Sequence, residues 1–216
     1  MNDKINAIII NMEKETEKYK TMKEKLDKLD FCNYKRFEAI NGKNVYKNLL
    51  EEGKIYPLNE KRGIYVNNKM VGCWQSHYTI WKNMVDNNIQ KLLIFEDDCN
   101  FKENFVEKYN KTMDLIKDKE FDILFLGYSG AQVIFNQELH LLNTGCPKTT
   151  HSYILTLSGA KILIERMNRL NWPIDEIIGA MFNKKILKGY RTSELLVWQP
   201  WQWDRNAIIR KKYFNY

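Results

Sequence analysis

Apolar and polar positions along the chain alternate between short apolar runs and longer stretches with helical spacing. Ile5 to Ile10 reads as a buried strand, because it is a short apolar run bounded by polar residues. From about Lys14 to Leu29 the chain is charged, with Tyr19, Met22, Leu26 and Leu29 on one face of a predicted helix. Tyr34 to Phe37 is a second strand. Ala39-Ile40-Asn41-Gly42 then turns the chain, since Asn-Gly readily adopts positive φ. A short helix near Val45 to Glu52 precedes a polar stretch with Pro57 and Gly63, which reads as a mobile loop of the kind that forms lids.

The second part of the chain repeats this grammar. A helix is predicted from Gly72 to Asp86, where Cys73, His77, Ile80 and Met84 share a face that Trp74, Tyr78, Trp81 and Val85 widen. It leads into a strand at Lys91 to Phe95. Further expectations are a helix at about Glu103 to Lys117, a strand at Asp122 to Leu126 closed by Gly127, and a hairpin pairing Val133–Phe135 with Leu139–Leu142. Ser152 to Leu157 is another strand, Ser158 caps a helix running to about Leu170, and Pro173 opens one near Ile174 to Leu187. The alternation predicts an α/β fold: a Rossmann-like, mainly parallel sheet flanked by helices on both faces, with a small antiparallel hairpin. No repeat or linker divides the chain, and its 216 residues suit one domain spanning 1–216.

Chemistry concentrates where the most hydrophobic short run, Leu92 to Phe95, ends in Glu96-Asp97-Asp98-Cys99. Open α/β sheets bind ligands beyond the carboxyl ends of their strands. Adjacent carboxylates repel unless positive charge is near, and a hard divalent ion with oxygen ligands supplies it. The sequence contains neither GxGxxG nor GxxxxGK[ST], which argues against dinucleotide and Walker-type phosphate binding. Carboxylates and a metal are left to hold any diphosphate, as in a transferase with an activated, diphosphate-linked donor.

Composition narrows the partners. The net charge is +7, but of 34 Lys and Arg residues only seven are Arg, and the lysines are spread along the chain, so no nucleic-acid groove is expected. Cys32, Cys73, Cys99 and Cys146 have no CxxC spacing, which predicts free thiols in reducing surroundings without a zinc site or a disulfide frame. Met1 to Met12 lacks the length and flanks of a signal peptide, and no run approaches a membrane span, so a cytoplasmic location is expected. Peripheral membrane contact would fall to basic surface such as Arg210, Lys211 and Lys212.

Several segments, taken in order, resemble glycosyltransferase family 25, the lipopolysaccharide and collagen galactosyltransferase group. They are Ile9-Ile10-Asn11-Met12, Ala39-Ile40-Asn41-Gly42, Gly72-Cys73-Trp74-Gln75-Ser76-His77-Tyr78 with Trp81, and Leu93-Ile94-Phe95-Glu96-Asp97-Asp98. Asp122-Ile123-Leu124-Phe125-Leu126-Gly127, His151-Ser152-Tyr153-Ile154-Leu155 with Gly159-Ala160, and Pro173-Ile174-Asp175 continue the match. The resemblance implies a GT-A type fold, a UDP-galactose or UDP-glucose donor, dependence on Mn2+ (or Mg2+), and inversion at the anomeric carbon.

It also implies roles. Glu96, Asp97 and Asp98 match the family's DxD-like motif, whose outer carboxylates meet the metal and the donor ribose; Asp98 is the leading ligand and Asp97 is grouped with the donor contacts. Asn11 and the turn Ala39, Ile40, Asn41 and Gly42 match strand ends that enclose uracil and ribose, with ordinary loop chemistry as the alternative. Ser76 and His77 match a pair near the donor sugar, although a histidine on an apolar helix face is often a satisfied core residue. His151 is a candidate for the metal or the diphosphate. Asp175 is the first candidate for the base and Glu176 the next, at a predicted helix start where a capping acid is equally at home. Tyr128 either lines the sugar site or packs.

The chain departs from the family at Glu13-Lys14-Glu15-Thr16-Glu17-Lys18, where an arginine pair and an aspartate are usual. Trp198, Trp201 and Trp203 could form a sugar platform, core packing or a homodimer contact. The acceptor stays open between a glycan, a lipid-linked sugar and a collagen-like hydroxylysine. Two other readings compete: a divalent-metal phosphohydrolase or nuclease built on the same acids, and a basic nucleic-acid-binding module supported only by charge.

Overall fold

The computed structural model describes residues 4–59, 63–129, 139–142 and 147–200. In chain order the elements of the first half are β1 (Ile5–Asn11), α1 (Thr16–Leu29), β2 (Cys32–Glu38), α2 (Gly42–Glu51), β3 (Leu58–Asn59), β4 (Ile64–Tyr65), α3 (Asn68–Asp86), β5 (Lys91–Glu96) and β6 (Asn100–Phe101). The second half has α4 (Phe105–Ile116), β7 (Ile123–Ser129), β8 (Leu139–Leu141), β9 (Lys148–Thr156), α5 (Leu157–Arg166), α6 (Ile174–Asn183), β10 (Gly189–Thr192) and β11 (Val197–Trp198).

A seven-stranded sheet in the order β2-β1-β5-β9-β7-β10-β8 forms the middle layer. β1 pairs in parallel with β2 and β5, and β7 with β10, whereas β9 runs antiparallel between β5 and β7, and β8 antiparallel on β10. Five of the seven strands therefore share one direction, as the alternation predicts. The period-2 pattern divides the core cleanly. Leu92 and Ile94 turn toward Trp74, Ile80, Trp81 and Leu163 of α3 and α5. Leu93 and Phe95 turn toward Met22, Leu26, Phe105 and Tyr109 of α1 and α4. With apolar neighbours on both faces, β5 reads as a continuous apolar run rather than an alternating one.

Several local expectations are corrected. Asn41 does not enter a positive-φ turn: at φ −74° it is the N-cap of α2, its side chain accepting from Lys43 N, and the positive-φ glycines among the described residues are Gly53 and Gly63. The polar stretch after α2 carries the antiparallel β3–β4 ribbon. Thr156 caps α5 by accepting from Gly159 N, while the Ser158 hydroxyl donates to Asp122. β7 continues through Gly127 to Ser129, with register shifts against β9 on either side of Gly127. α6 stops at Asn183, short of Leu187. β6, β10 and β11 have no counterpart in the predicted elements. Val133–Phe135, Cys146, Trp201, Trp203, Arg210, Lys211 and Lys212 lie outside the described residues. Cys32, Cys73 and Cys99 are free thiols. No helix among the described residues is long and apolar enough to cross a membrane.

Glycine is required where α2 and α3 meet. A Cβ on Gly42 would stand 1.8 Å from the Asn68 carbonyl oxygen and 2.7 Å from Gly72 N, both backbone atoms that cannot swing aside. Gly53, by contrast, has nothing within 4 Å. Gly42→Ala is expected to lower stability by about 3 kcal/mol or more, because overpacking against backbone cannot relax. Gly53→Ala, strained only by its φ of +68°, should cost about 1 kcal/mol. Denaturant midpoints of the two variants check the contrast.

Candidate active site

Glu96 is the last residue of β5 and shares the parity of Leu92 and Ile94, so its side chain turns toward α3. There its Oε1 stands 3.8 Å from His77 Nε2. His77 is fixed from behind. Its Nδ1 lies 2.8 Å from the Tyr153 hydroxyl, and that oxygen also accepts the Trp81 indole N–H at 2.9 Å. All three aromatic residues are buried. Thr150 Oγ1 donates to Glu96 Oε1 at 3.3 Å. The carboxylate itself keeps 29% of its exposure, so it faces the surface rather than the core.

Asp97 has the opposite parity. The register that pairs Ile10 with Glu96 sets Asn11 beside Asp97, and Asn11 Nδ2 donates to Asp97 Oδ2 at 2.6 Å and to the Glu15 carbonyl at 2.9 Å. Asp98 is reached by a residue with no site role assigned from the sequence. The ribbon β6–β11 pairs Asn100 with Trp198, which brings Gln199 alongside the acidic turn. Gln199 Nε2 donates to Glu96 Oε2 at 3.0 Å and to Asp98 Oδ1 at 2.7 Å, so two carboxylates converge on one nitrogen. Lys25 of α1 steadies the same turn by donating to the Cys99 carbonyl and to Asn100 Oδ1.

The Ser76–His77 pair divides its labour. Ser76 donates to the Gly72 carbonyl at 2.7 Å and accepts from Ile40 N at 2.9 Å, tying the Ala39–Gly42 segment to α3. A cleft of about 420 Å³ opens at this junction, lined by Ala39, Ile40, Asn41, Gly42, Ser76, His77, Glu96 and Asp97. Lys14, Lys43, Lys69 and Cys73 line it as well, and the sequence reading gave none of them a role. The signal that could have found the lysines is charge placement: neither α2 nor α3 has an acid in its first turn, although acids are favoured there, and Lys43 and Lys69 stand in their place.

Other predicted residues do not line this cleft. His151 is fully buried, with Nδ1 2.7 Å from Thr149 Oγ1 and Nε2 3.3 Å from the Val197 carbonyl, so both ring nitrogens meet protein oxygens. Asp175, in the first turn of α6, accepts from Thr149 N at 2.9 Å and from Glu176 N at 3.0 Å. Glu176 pairs with Lys148 at 3.4 Å. Thr149 holds a φ of +77°, an unusual value for a β-branched residue, and is tied to Asp175 and His151 at once. Tyr128 is buried: its hydroxyl donates to the Thr192 carbonyl at 2.7 Å and accepts from Arg191 at 2.8 Å. It packs beneath the 192–193 loop and does not line the cleft.

Electrostatics separates the acids. Desolvation pushes the Glu96 carboxyl up, but the rings of His77 and His151 and the Thr150 hydroxyl overcome it and hold the group below its ordinary value. Asp97 moves the other way: desolvation raises it, helped by Asp98 and Glu96, and Asn11 and Lys18 offset only part. Burial lowers His151 against the opposing fields of Glu96 and Asp98 and the Val197 carbonyl. Burial and the Glu96 charge push the Cys73 thiol well up.

Comparison with known proteins gives the family and the fold. Residues 4–178 match the model of glycosyltransferase family 25 (LPS biosynthesis protein). Procollagen galactosyltransferase 2 of Homo sapiens is 28% identical over 167 residues, 71% of this chain and 26% of that protein. A glycosyltransferase 25 family member of Anopheles gambiae is 28% identical over 212 residues, 88% of this chain and 34% of that protein. A probable inactive glycosyltransferase 25 family member 3 of Bos taurus is 30% identical over 128 residues, 56% of this chain and 22% of that protein. The chain thus spans between about a fifth and a third of the length of these relatives, and they include a member described as probable inactive. A solved glycosyltransferase involved in the glycosylation of the major capsid of PBCV-1 covers 96% of this chain at a TM-score of 0.51 and 10% identity, a likeness of fold alone. The sheet order, the flanking helices and the family match together make this chain a GT-A type member of glycosyltransferase family 25.

Proposed function

We propose that the chain is a metal-dependent hexosyltransferase that moves galactose or glucose from a UDP-sugar to an acceptor hydroxyl with inversion. One observation carries this reading. Three segments distant in sequence, Ala39–Gly42, Ser76–His77 and Glu96–Asp97, line a single cleft at the carboxyl ends of β1, β2 and β5. The name of the human relative favours galactose as the sugar and a collagen-like chain as the acceptor.

Within this reading the donor's diphosphate lies between Lys14, Lys43 and Lys69, which line the cleft, and the uridine lies against the Ala39–Gly42 segment. Lysines in the first turns of α2 and α3 oppose the helix dipoles, an arrangement an anionic guest would relieve. Glu96 and Asp98 would hold the cation: their carboxylates already converge on the single Gln199 amide nitrogen, a weak substitute for a positive charge. When bound, a divalent ion supplies charge for the departing diphosphate. Asp97, tethered by Asn11, faces the donor ribose. Asp175, oriented by two backbone N–H donors, accepts the acceptor hydroxyl's proton as its oxygen attacks the anomeric carbon and the bond to the diphosphate breaks. Glu176 stands next in line, and His151 supports the turn from within.

Two outcomes are expected. In a screen of UDP-sugars, Mn2+ promotes release of UDP from UDP-galactose or UDP-glucose, and Asp98→Ala reduces turnover by about 100-fold or more, the scale of losing a principal electrostatic contact. Unchanged turnover in a folded Asp98→Ala protein would contradict the assignment.

The second outcome concerns pH. Asp97 is raised in the fold, so the folded state takes up its proton before the unfolded chain does, and this group's charged form destabilises the metal-free protein above the raised value. Asp97→Asn is therefore expected to stabilise the metal-free protein at neutral pH, the gain disappearing as the pH falls toward the unfolded value of 3.8. Glu96 has the opposite sign: its contribution is present above 4.5 and is lost as the pH falls through its lowered folded value. Thermal melts of Asp97→Asn and Glu96→Gln across acid pH separate the two.

A further inference from the structure

We propose that the floor of the cleft is a binding site for a soft, zinc-class divalent ion, with Cys73 Sγ, His77 Nε2 and Glu96 Oε1 as its protein ligands. The three ligand atoms lie within 4.8 Å of one another. Cys73 and His77 are four residues apart on α3 and so share a face of the helix, and Glu96 meets them from the end of β5. A search for CxxC spacing does not find such a set, because the third ligand comes from the sheet.

The geometry suits an ion better than direct contact. His77 Nε2 and Glu96 Oε1 stand 3.8 Å apart, too long for a hydrogen bond. Two ligands on a tetrahedral zinc, at bonds of about 2.0–2.3 Å, stand about 3.3–3.8 Å apart. Closing the remaining separation takes a side-chain adjustment of about 1 Å, within reach of rotamers on a helix and a strand end.

His77 and Glu96 are each held from outside, as metal ligands usually are. The Tyr153 oxygen can accept from His77 Nδ1–H as it does from the Trp81 indole, which leaves the Nε2 lone pair facing Glu96 and Cys73. Thr150 binds Glu96 Oε1 and Gln199 binds its Oε2. Cys73 and His77 both line the cleft, so a fourth position opens toward it for water or a ligand.

The donor set selects the metal. A thiolate, an imidazole and a carboxylate suit Zn2+ or Co2+, whereas Mn2+ and Mg2+ prefer oxygen alone. Binding converts the Cys73 thiol to a thiolate, and its proton leaves to solvent. The ion differs from the one in the transfer reading, since Asp98 is not a ligand and sulfur is. Glu96 is common to both sets, with Oε1 facing this ion and Oε2 on the side of Asp98.

The test is a Co2+ titration of the metal-stripped, reduced chain, followed by absorption, with Zn2+ as competitor. One equivalent of Co2+ is expected to give a near-ultraviolet sulfur-to-cobalt band and the intense visible bands of four-coordinate cobalt, both abolished by one equivalent of Zn2+. Cys73→Ala should remove the near-ultraviolet band, and His77→Gln should keep it while weakening Zn2+ binding by about tenfold or more. Circular dichroism reports folding, and if His77→Gln does not fold, Cys73→Ala decides alone. A folded wild type with no sulfur band, or a band unchanged in Cys73→Ala, overturns the site. The readout needs no donor or acceptor, so a chain that binds cobalt in this way but releases no UDP would fail the transfer reading and leave this site standing.

Discussion

The charge on Glu96 at the end of a buried strand is the constraint around which the rest is arranged. A carboxylate that emerges from a fully apolar run is desolvated on its inner side, and without a partner it would take up a proton. His77 supplies that partner from α3, and the Tyr153–Trp81 hydrogen bonds hold the imidazole where it is needed. The arrangement explains two buried aromatics with polar handles in an otherwise apolar layer. Their polar atoms are paired with one another and with the histidine.

Around that anchor the backbone is brought unusually close. Gly42 and Gly72 let the amino ends of α2 and α3 touch, and Ser76 spans the joint by holding Ile40 N and the Gly72 carbonyl. A segment reading Gly-Cys-x-x-Ser-His is thus a small device: glycine for approach, serine for the joint, histidine for the carboxylate, and cysteine at the surface of the cleft. Side chains that look like site residues in a sequence can therefore act through backbone. Ser76 shapes the cleft by fixing the turn beside it, while Tyr128 holds the Thr192 and Ser193 carbonyls.

Much of the fold was legible because the apolar layers on both faces of the sheet leave a strong imprint. β1, β5 and β7 are runs of buried residues, and α1 and α3 carry their apolar faces at helical spacing. β10 and the ribbon strands β6 and β11 were not legible, since segments of two to four residues carry too little pattern, and Gln199 was missed with them. The direction of β9 was also hidden, because antiparallel insertion between β5 and β7 depends on pairing and not on composition. At the site, the acids, the Asn-Gly segment and the Ser-His pair could be named from the sequence. Their convergence could not, nor could the wrapping of His151 by Thr149 and the Val197 carbonyl.

The central claim is that one cleft, between the Gly42–Gly72 joint and the Glu96–Asp98 turn, receives the donor. A crystal structure with Mn2+ and UDP tests it most directly. The account predicts the uridine against Ala39–Gly42, the diphosphate among Lys14, Lys43 and Lys69, and the Asp98 carboxylate turned from Gln199 onto the ion. UDP bound instead in the hollow of about 660 Å³ at the opposite ends of the strands, where Lys91, Lys119 and Lys188 gather, would contradict it.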